Sequence, residues 1–306
     1  MNSAKPKVID FFNFIYERHL LFLKKNVYQY PQEKWTNDPI LQKHKFCNVY
    51  RELDKGTQVL IRNILENKNL NLEDKIFNIL LYRRFNTVDF FDRIPRFEIS
   101  KFNWKELERK MDADKKRGIR LFNDAYIVCQ RKSSTYRPHD KHVQQLLLID
   151  SIKDKINIII SAINSNRISE VHECLKKIIP MTGDFLAYQY CTDISYIPEL
   201  WNHFEDINTF VAMGPGSKPG IDLLFPNRNG SYESYCQYLF DMQEFFFNLL
   251  AVRKRKFWSK IYYQDAYYQN KYLSLSNIQN CLCEYRKYIF LQINPNKKKR
   301  YYRRSE

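Results

Sequence analysis

Apolar residues recur at three- and four-residue steps along most of this 306-residue chain, a period that suits helices packed on one another. Between Val8 and Lys25, the residues Ile9, Phe12, Ile15, Tyr16, Leu20 and Leu23 line one face, which predicts a first helix with one buried side. A loop over Tyr28 to Asp38 ends at Pro39, a residue suited to the first helical position because its missing N–H would have no partner there. The next helices are expected from Lys55 or Thr57 to Glu66 and from Leu72 to Phe85, the latter with Glu73 and Asp74 in its first turn. Further helices are predicted at Asn103 to Lys116, Asp140 to Asn164, Ile168 to Ile179, Asp184 to Asp193, Ser231 to Tyr268 with a break, and Leu275 to Leu291. The best strand candidate is Ala125-Tyr126-Ile127-Val128, so the expected fold is all-α with few or no strands.

Glycine is scarce, yet three of the seven glycines fall in Gly214-Pro215-Gly216-Ser217-Lys218-Pro219-Gly220. With Phe210 to Ala212 before it and Leu223 to Phe225 after it, the segment reads as helix, tight turn, helix. Such a turn aims backbone N–H groups at an anion ahead of the second helix, and Lys218 adds a full charge. Gly214, Gly216, Ser217, Lys218 and Gly220 are therefore candidate phosphate-binding residues. The other reading is a helical corner closed by a glycine cap.

Lys and Arg number 50 against 34 Asp and Glu, a formal charge of +16, with an isoelectric point near 9.4. That balance is the footprint of a nucleic-acid binder, and 22 Tyr and 22 Phe supply rings on which bases can stack. An AT-rich coding sequence would also raise Lys, Asn and Tyr, with no functional cause. No apolar run reaches the roughly 18 residues of a membrane span, and Met1 to Lys7 leads into a charged amphipathic helix without a signal-like apolar core. The expectation is a soluble intracellular protein without membrane partners, nuclear if eukaryotic and otherwise cytoplasmic. Its seven cysteines contain no C-x-x-C and no zinc-like spacing, so they read as reduced thiols, with no metal and no cofactor expected. One helical domain over residues 1–291 is predicted, with two lobes of about 1–165 and 166–291 as the alternative. The charged stretch Lys110 to Lys132 reads as solvated surface with a helix stop at Gly118. A basic tail over 292–306 suits phosphate contacts or a nuclear address.

Polar residues embedded in apolar runs need partners, so they gather in networks or sites. Arg51 and Asp54 are one helical turn apart beyond Asn48, and Arg83 and Asn86 repeat that spacing. Gln189 and Asp193 share a face beside Phe185, Leu186 and Tyr188, while Glu284 and Lys287 do so near the C-terminal end. For each pair the plain alternative is a buried structural bridge or a capping bond.

These residues carry a resemblance. Trp35-Thr36-Asn37-Asp38-Pro39-Ile40-Leu41-Gln42 with Phe46-Cys47-Asn48-Val49-Tyr50-Arg51-Glu52-Leu53-Asp54 resembles the opening of the helical domain of phage 5-hydroxymethyluracil DNA kinases. That domain is grouped with the alpha-glutamyl/putrescinyl-thymine pyrophosphorylases of thymine hypermodification. The likeness continues through Arg83 to Asn86, Gly183 to Gln189 with Asp193, the Gly214 to Ile221 turn, and Leu282 to Tyr288, spanning most of residues 8 to 291. It implies an all-α domain similar to helix-hairpin-helix DNA glycosylases, acting on a modified pyrimidine in double-stranded DNA with the base flipped out. A separate kinase or modification enzyme is an expected partner.

Two departures qualify the likeness. No G-x-x-x-x-G-K-[ST] occurs in the sequence, so phosphorylation by this chain alone is not expected. The Val-Asp that supplies the glycosylase carboxylate after such a turn has no clear counterpart, with Asp222, Glu233 and Asp241 as substitutes. On the resemblance, Asp54, Asp193 and Glu284 are the candidate catalytic carboxylates, and Asn48, Asn86 and Gln189 would read a pyrimidine edge. Arg51 and Arg83 suit a pyrophosphate leaving group, and Lys287 joins them as a substrate-binding residue. The chemistry implied is displacement of pyrophosphate from the 5-methylene or glycosylase-like attack at the sugar. A DNA- or RNA-binding module without chemistry is the competing class.

Overall fold

The computed structural model describes residues 7–88, 93–123, 141–262 and 272–297, and no β-strand occurs among them. The fold is all-α. Its helices in chain order are α1 (Val8–Phe22), α2 (Pro39–Lys43), α3 (Lys55–Leu60), α4 (Leu72–Phe85), α5 (Trp104–Lys116), α6 (Lys141–Asp150) and α7 (Ile156–Ile163). They continue as α8 (Ile168–Ile178), α9 (Asp184–Ile194), α10 (Lys218–Leu224), α11 (Tyr232–Asp241), α12 (Gln243–Lys254) and α13 (Leu275–Ile293). The expected strand at Ala125–Val128 and the basic run beyond Lys297 lie outside the described residues. None of the described helices is long and apolar enough to cross a membrane.

Helix ends follow local chemistry. Asp38 caps α2 by accepting from the Ile40 and Leu41 amides, with Pro39 at the first helical position. Asn71 and Asn103 cap α4 and α5 in the same way, and Asn86 closes α4 in a left-handed conformation at φ 52°. The continuous helix expected over Asp140 to Asn164 is interrupted between α6 and α7. There Ser151 Oγ donates to the Leu148 carbonyl at 2.8 Å, which competes with the helical ladder, and the chain turns so that Ile152 and Ile156 are both buried. Gln243 marks the break between α11 and α12, where its amide bonds the Phe240 and Leu273 carbonyls and the Leu273 N–H.

The chain forms two compact units, Met1–Asp54 with Asn208–Glu306, and Lys55–Ile207. In the first, α1 packs on α12 and α13, and its aromatic face does most of the filling. Phe12 stacks on Phe246 at 5.1 Å and meets Phe247 edge-on, while Phe11 and Phe14 both contact Tyr285 at 5.4 Å. Such rings bury large areas in preferred edge and offset geometries.

In the second unit α4 is the central element, buried at every position from Asp74 to Phe85. A helix buried all round is ordinarily apolar all round. This one carries Asp74, Lys75, Asn78, Arg83 and Arg84, and each has a partner on a neighbouring segment. Asp74 Oδ1 accepts from Ile99 N–H at 2.9 Å, and Asn78 exchanges two bonds with the Phe97 backbone, at 2.7 and 3.1 Å. Lys75 pairs with Glu199, and Arg84 donates to Thr182 Oγ1, Gln145 Oε1 and the Pro180 carbonyl.

The glycine turn departs from expectation. The chain enters it without a helix over 210–214, so the segment is a turn followed by one short helix, α10. Pro215 disfavours helical backbone at Gly214, and Val211, Ala212 and Met213 are buried as they stand. None of its glycines has a positive φ. Gly216 and Gly220 are small because this segment lies against α13. A Cβ on Gly216 would come 2.4 Å from Cys283 Sγ, and one on Gly220 would come 2.5 Å from the Leu282 carbonyl oxygen.

The two clashes differ in kind, since a sulfur can move and a helical carbonyl cannot. Gly220→Ala should cost about 1–3 kcal/mol as overpacking, and Gly216→Ala less. Cys283→Ala should relieve the Gly216 clash and leave the Gly220 clash unchanged; thermal unfolding of the three single and two double variants checks it, and equal rescue of both would refute this account.

Candidate functional site

The polar residues singled out above fall into two groups, one in each unit. In the first unit, residues 45–51 run beside α13 and are held by its side chains at helical spacing. Lys287 Nζ donates to the Lys45 carbonyl, and the Cys47 N–H donates to Glu284 Oε2 at 3.1 Å. Asn280 Nδ2 reaches the Asn48 carbonyl at 3.5 Å, Cys281 Sγ the Val49 carbonyl at 3.9 Å, and the Arg51 N–H donates to Asn277 Oδ1 at 2.9 Å. One turn beyond Glu284, Tyr288 donates to Asp38 Oδ2 at 2.5 Å. Residues 277, 280, 281, 284, 287 and 288 share one face of the helix, so the segment is read off that face residue by residue.

Asn48, Arg51, Asp54, Glu284 and Lys287 are thereby brought together. The Asn48 N–H donates to Asp54 Oδ1 at 2.8 Å, and its amide donates to the Leu53 carbonyl at 2.7 Å. Lys287 Nζ lies 3.5 Å from Glu284 Oε2. Burial pushes the Asp54 carboxyl up to about 6, with nearby Glu284 adding to the rise, while the Asn48 amide, Arg18 and Arg51 oppose it.

Arg18 belongs to the group and was not anticipated. Its Nη2 donates to the Cys47 carbonyl at 2.6 Å and its guanidinium lies 5.0 Å from the Phe14 ring centroid. The side chain is 5% exposed. The signal in the sequence was an Arg one turn after Phe14, on the apolar stripe of α1.

In the second unit Arg83, Asn86, Gln189 and Asp193 are buried, and three of them make one network. Arg83 holds Asp193 through two bonds, Nε to Oδ2 at 2.5 Å and Nη2 to Oδ1 at 2.8 Å. The guanidinium also donates to Asn86 Oδ1 at 2.9 Å and Thr57 Oγ1 at 3.3 Å. Asp193 is 0% exposed, and Asn86 gives its carbonyl to Asn123 Nδ2 at 3.0 Å. This is the bidentate geometry in which a guanidinium and a carboxylate hold two helices, α4 and α9, in register. Gln189 lies on the same helix as Asp193, 2% exposed.

At the glycine turn, the amides of Ser217 and Lys218 donate to the Gly214 carbonyl, and those of Gly220 and Ile221 to the Ser217 carbonyl, so these four N–H groups are spent within the turn. The Ser217 hydroxyl is buried between Gly214 O and Gln279 Nε2. Lys218 is the charged member, its Nζ 5.4 Å from the Tyr232 ring centroid. Of the substitute carboxylates, Asp222 binds Arg228 and Tyr232, and Asp241 accepts from Gln237. Among the described residues no group of three His, Cys, Asp or Glu is placed to hold a metal ion.

A family model described as "5-hmdU DNA kinase, helical domain" matches residues 5–298 of the chain. A curated protein of Bacillus phage SP10, named 5-hmdU DNA kinase, is 27% identical over 228 residues, which is 70% of this chain and 35% of that protein. The chain thus spans about a third of the length of that curated relative. No solved structure matches.

Two outcomes follow from the geometry. Removing one partner of the Arg83–Asp193 pair leaves a buried charge alone, so Asp193→Ala should lose about 3–5 kcal/mol in urea unfolding. A stable Asp193→Ala variant would exclude the structural role. For Asp54, the folded-state value near 6 lies above the ordinary 3.8, so the folded protein binds the proton more tightly. The stability this contributes is full below about 4 and is lost as pH rises through about 6. Asp54→Asn should therefore unfold at higher urea than the parent at pH 7.5 and show a flatter stability profile between pH 4 and 6. An unchanged profile would contradict the raised value.

Proposed function

Because the chain belongs to the family of the 5-hmdU DNA kinase helical domain, we propose that it binds DNA carrying 5-hydroxymethyluracil or a base derived from it, and acts on that base. The observation that carries the chemical part is the placement of the Asp54 carboxyl, which accepts from the Asn48 N–H at 2.8 Å near Arg18, Arg51 and Glu284, where burial pushes it up to about 6. A group titrating near neutrality is suited to take a proton from an attacking nucleophile and pass it on.

In the reaction proposed, an amine or amino acid attacks the 5-methylene of a pyrimidine whose hydroxyl has been converted to a pyrophosphate ester. The new C–N bond forms as the C–O bond breaks, pyrophosphate leaves, and the amine proton goes to Asp54. Arg51 and Arg18 stabilise the departing anion, since charge-assisted hydrogen bonds to phosphate oxygens are strong. Asn48 and Glu284 shape the segment that holds Asp54, and Lys287 neutralises Glu284. Of the other expected catalytic and substrate-binding residues, Asp193, Arg83 and Asn86 are given a structural part in this reading, because their polar atoms are engaged with one another. A formal charge of +16 favours a second reading, a binding module for DNA without chemistry.

Nucleoside mass spectrometry separates these. Duplex DNA containing the pyrophosphate ester of 5-hydroxymethyluracil is incubated with the protein and an amine, then digested. A nucleoside heavier by the added amine, lost in Asp54→Asn, is the expected result. A released free base would replace substitution by glycosylase chemistry, and unaltered DNA bound at low salt would leave only the binding module.

A further inference from the structure

The first unit has an open recess of about 300 Å³ lined by Phe225, Asn229, Gly230, Ser234, Tyr235 and Tyr238. That volume is at the lower end of small-molecule sites, about 300–1,000 Å³. Its walls are rings. Phe225 lies 4.6 Å from Tyr235 with the planes tilted by 36°, and 5.9 Å from Tyr238 nearly edge-on. Tyr232, Tyr235 and Tyr238 follow one another at three-residue steps along α11, about 4.5 Å of rise each. Gly230 leaves room in the lining, because a Cβ there would come 2.9 Å from Ser234 Oγ.

Two features point to a flat, polar-edged ligand rather than an aliphatic one. Tyr238 is 42% exposed, a large ring left at the open side instead of being folded in. The polar edge is supplied by Asn229, whose N–H donates to the Tyr235 hydroxyl at 3.3 Å while that hydroxyl donates to Asn229 Oδ1 at 3.2 Å. Beside the recess Arg228 lies over the Tyr232 ring, its Cζ 3.7 Å from the centroid, held there by Asp222 at 3.0 Å. Lys218 lies over the same ring. A row of rings, half-buried at Tyr232 and Tyr235 and exposed at Tyr238, with cations at one end is how proteins bind an unpaired strand: bases stack on the rings and phosphates meet the cations.

We propose that this recess receives an unpaired nucleobase of a DNA strand, stacked on Tyr238 and Tyr235, with the adjoining phosphate at Lys218. This site is separate from the residues around Asp54 and rests on DNA being the partner of the chain. Stacking is worth about 1–3 kcal/mol per base on removal of the ring, or roughly 5- to 150-fold in affinity.

Fluorescence anisotropy with a labelled thymine oligonucleotide and with a fully paired duplex of the same length tests it, using the intact chain. Tyr238→Ala should weaken the single strand about tenfold and leave the duplex unchanged, while Tyr238→Phe retains full affinity because stacking needs the ring and not the hydroxyl. Equal affinity of parent and Tyr238→Ala for the single strand overturns the recess. So does an equal loss in Tyr238→Ala and Tyr238→Phe. A parent that binds duplex and alters its modified base, with the recess variants unimpaired, overturns this inference and leaves the proposed function standing; a parent that binds neither probe overturns both. A synthetic peptide rich in exposed aromatics that competes where the oligonucleotide does not would assign the recess to a protein partner instead.

Discussion

The contact on which the first unit depends is the row of side chains that α13 extends to residues 45–51. Residues 45–50 of that segment lie in no helix or strand, and buried backbone groups without partners are costly. Lys287, Glu284, Asn280, Cys281 and Asn277 supply those partners at successive turns. The consequence is positional. Because Asn277 and Glu284 fix Arg51 and Cys47, the Asn48 amide is presented to Asp54, whose carboxyl is pushed up to about 6 by burial against the opposing pull of that amide. Glu284 and Lys287 thus act on the candidate site through the segment they hold.

The second unit meets the same difficulty with charges in place of amides. Its central helix α4 is buried on all sides and still carries two arginines, a lysine, an aspartate and an asparagine. Isolated buried charges would be untenable, so each is matched, and the match to Asp193 is the most complete. Matched charges of this kind add little net stability, but they penalise every arrangement in which the partners are out of register. The bonds from Arg84 to Thr182 and Gln145 do the same for the segments beside α4.

How much of this was legible depends on the range of the forces. Helix positions were largely legible because they follow a local period and local end signals: α4 runs from Leu72 to Phe85, as its pattern with Glu73 and Asp74 in the first turn predicts. The glycine turn was legible as a place where side chains are excluded, but the excluding body was not, and it proved to be Leu282 and Cys283 on α13. The break after Asp150 was hidden because Ser151 and the buried Ile152 do not disturb the apolar period.

The amino-acid sequence by itself determined that the chain is helical and strongly basic, where most of its helices run, and which polar residues need partners; these depend on backbone periodicity, capping and charge, all of them local or additive. Its motifs also carried the family. Only the tertiary structure decided who those partners are. It placed Asp54 with Arg51, Glu284 and the unanticipated Arg18, and it paired Arg83 with Asp193. It also set Phe225 against Tyr235 and Tyr238 around an open recess. The reason is physical: desolvation and hydrogen-bond geometry exist only once distant segments are in contact, and 237 residues separate Cys47 from the glutamate that accepts its N–H.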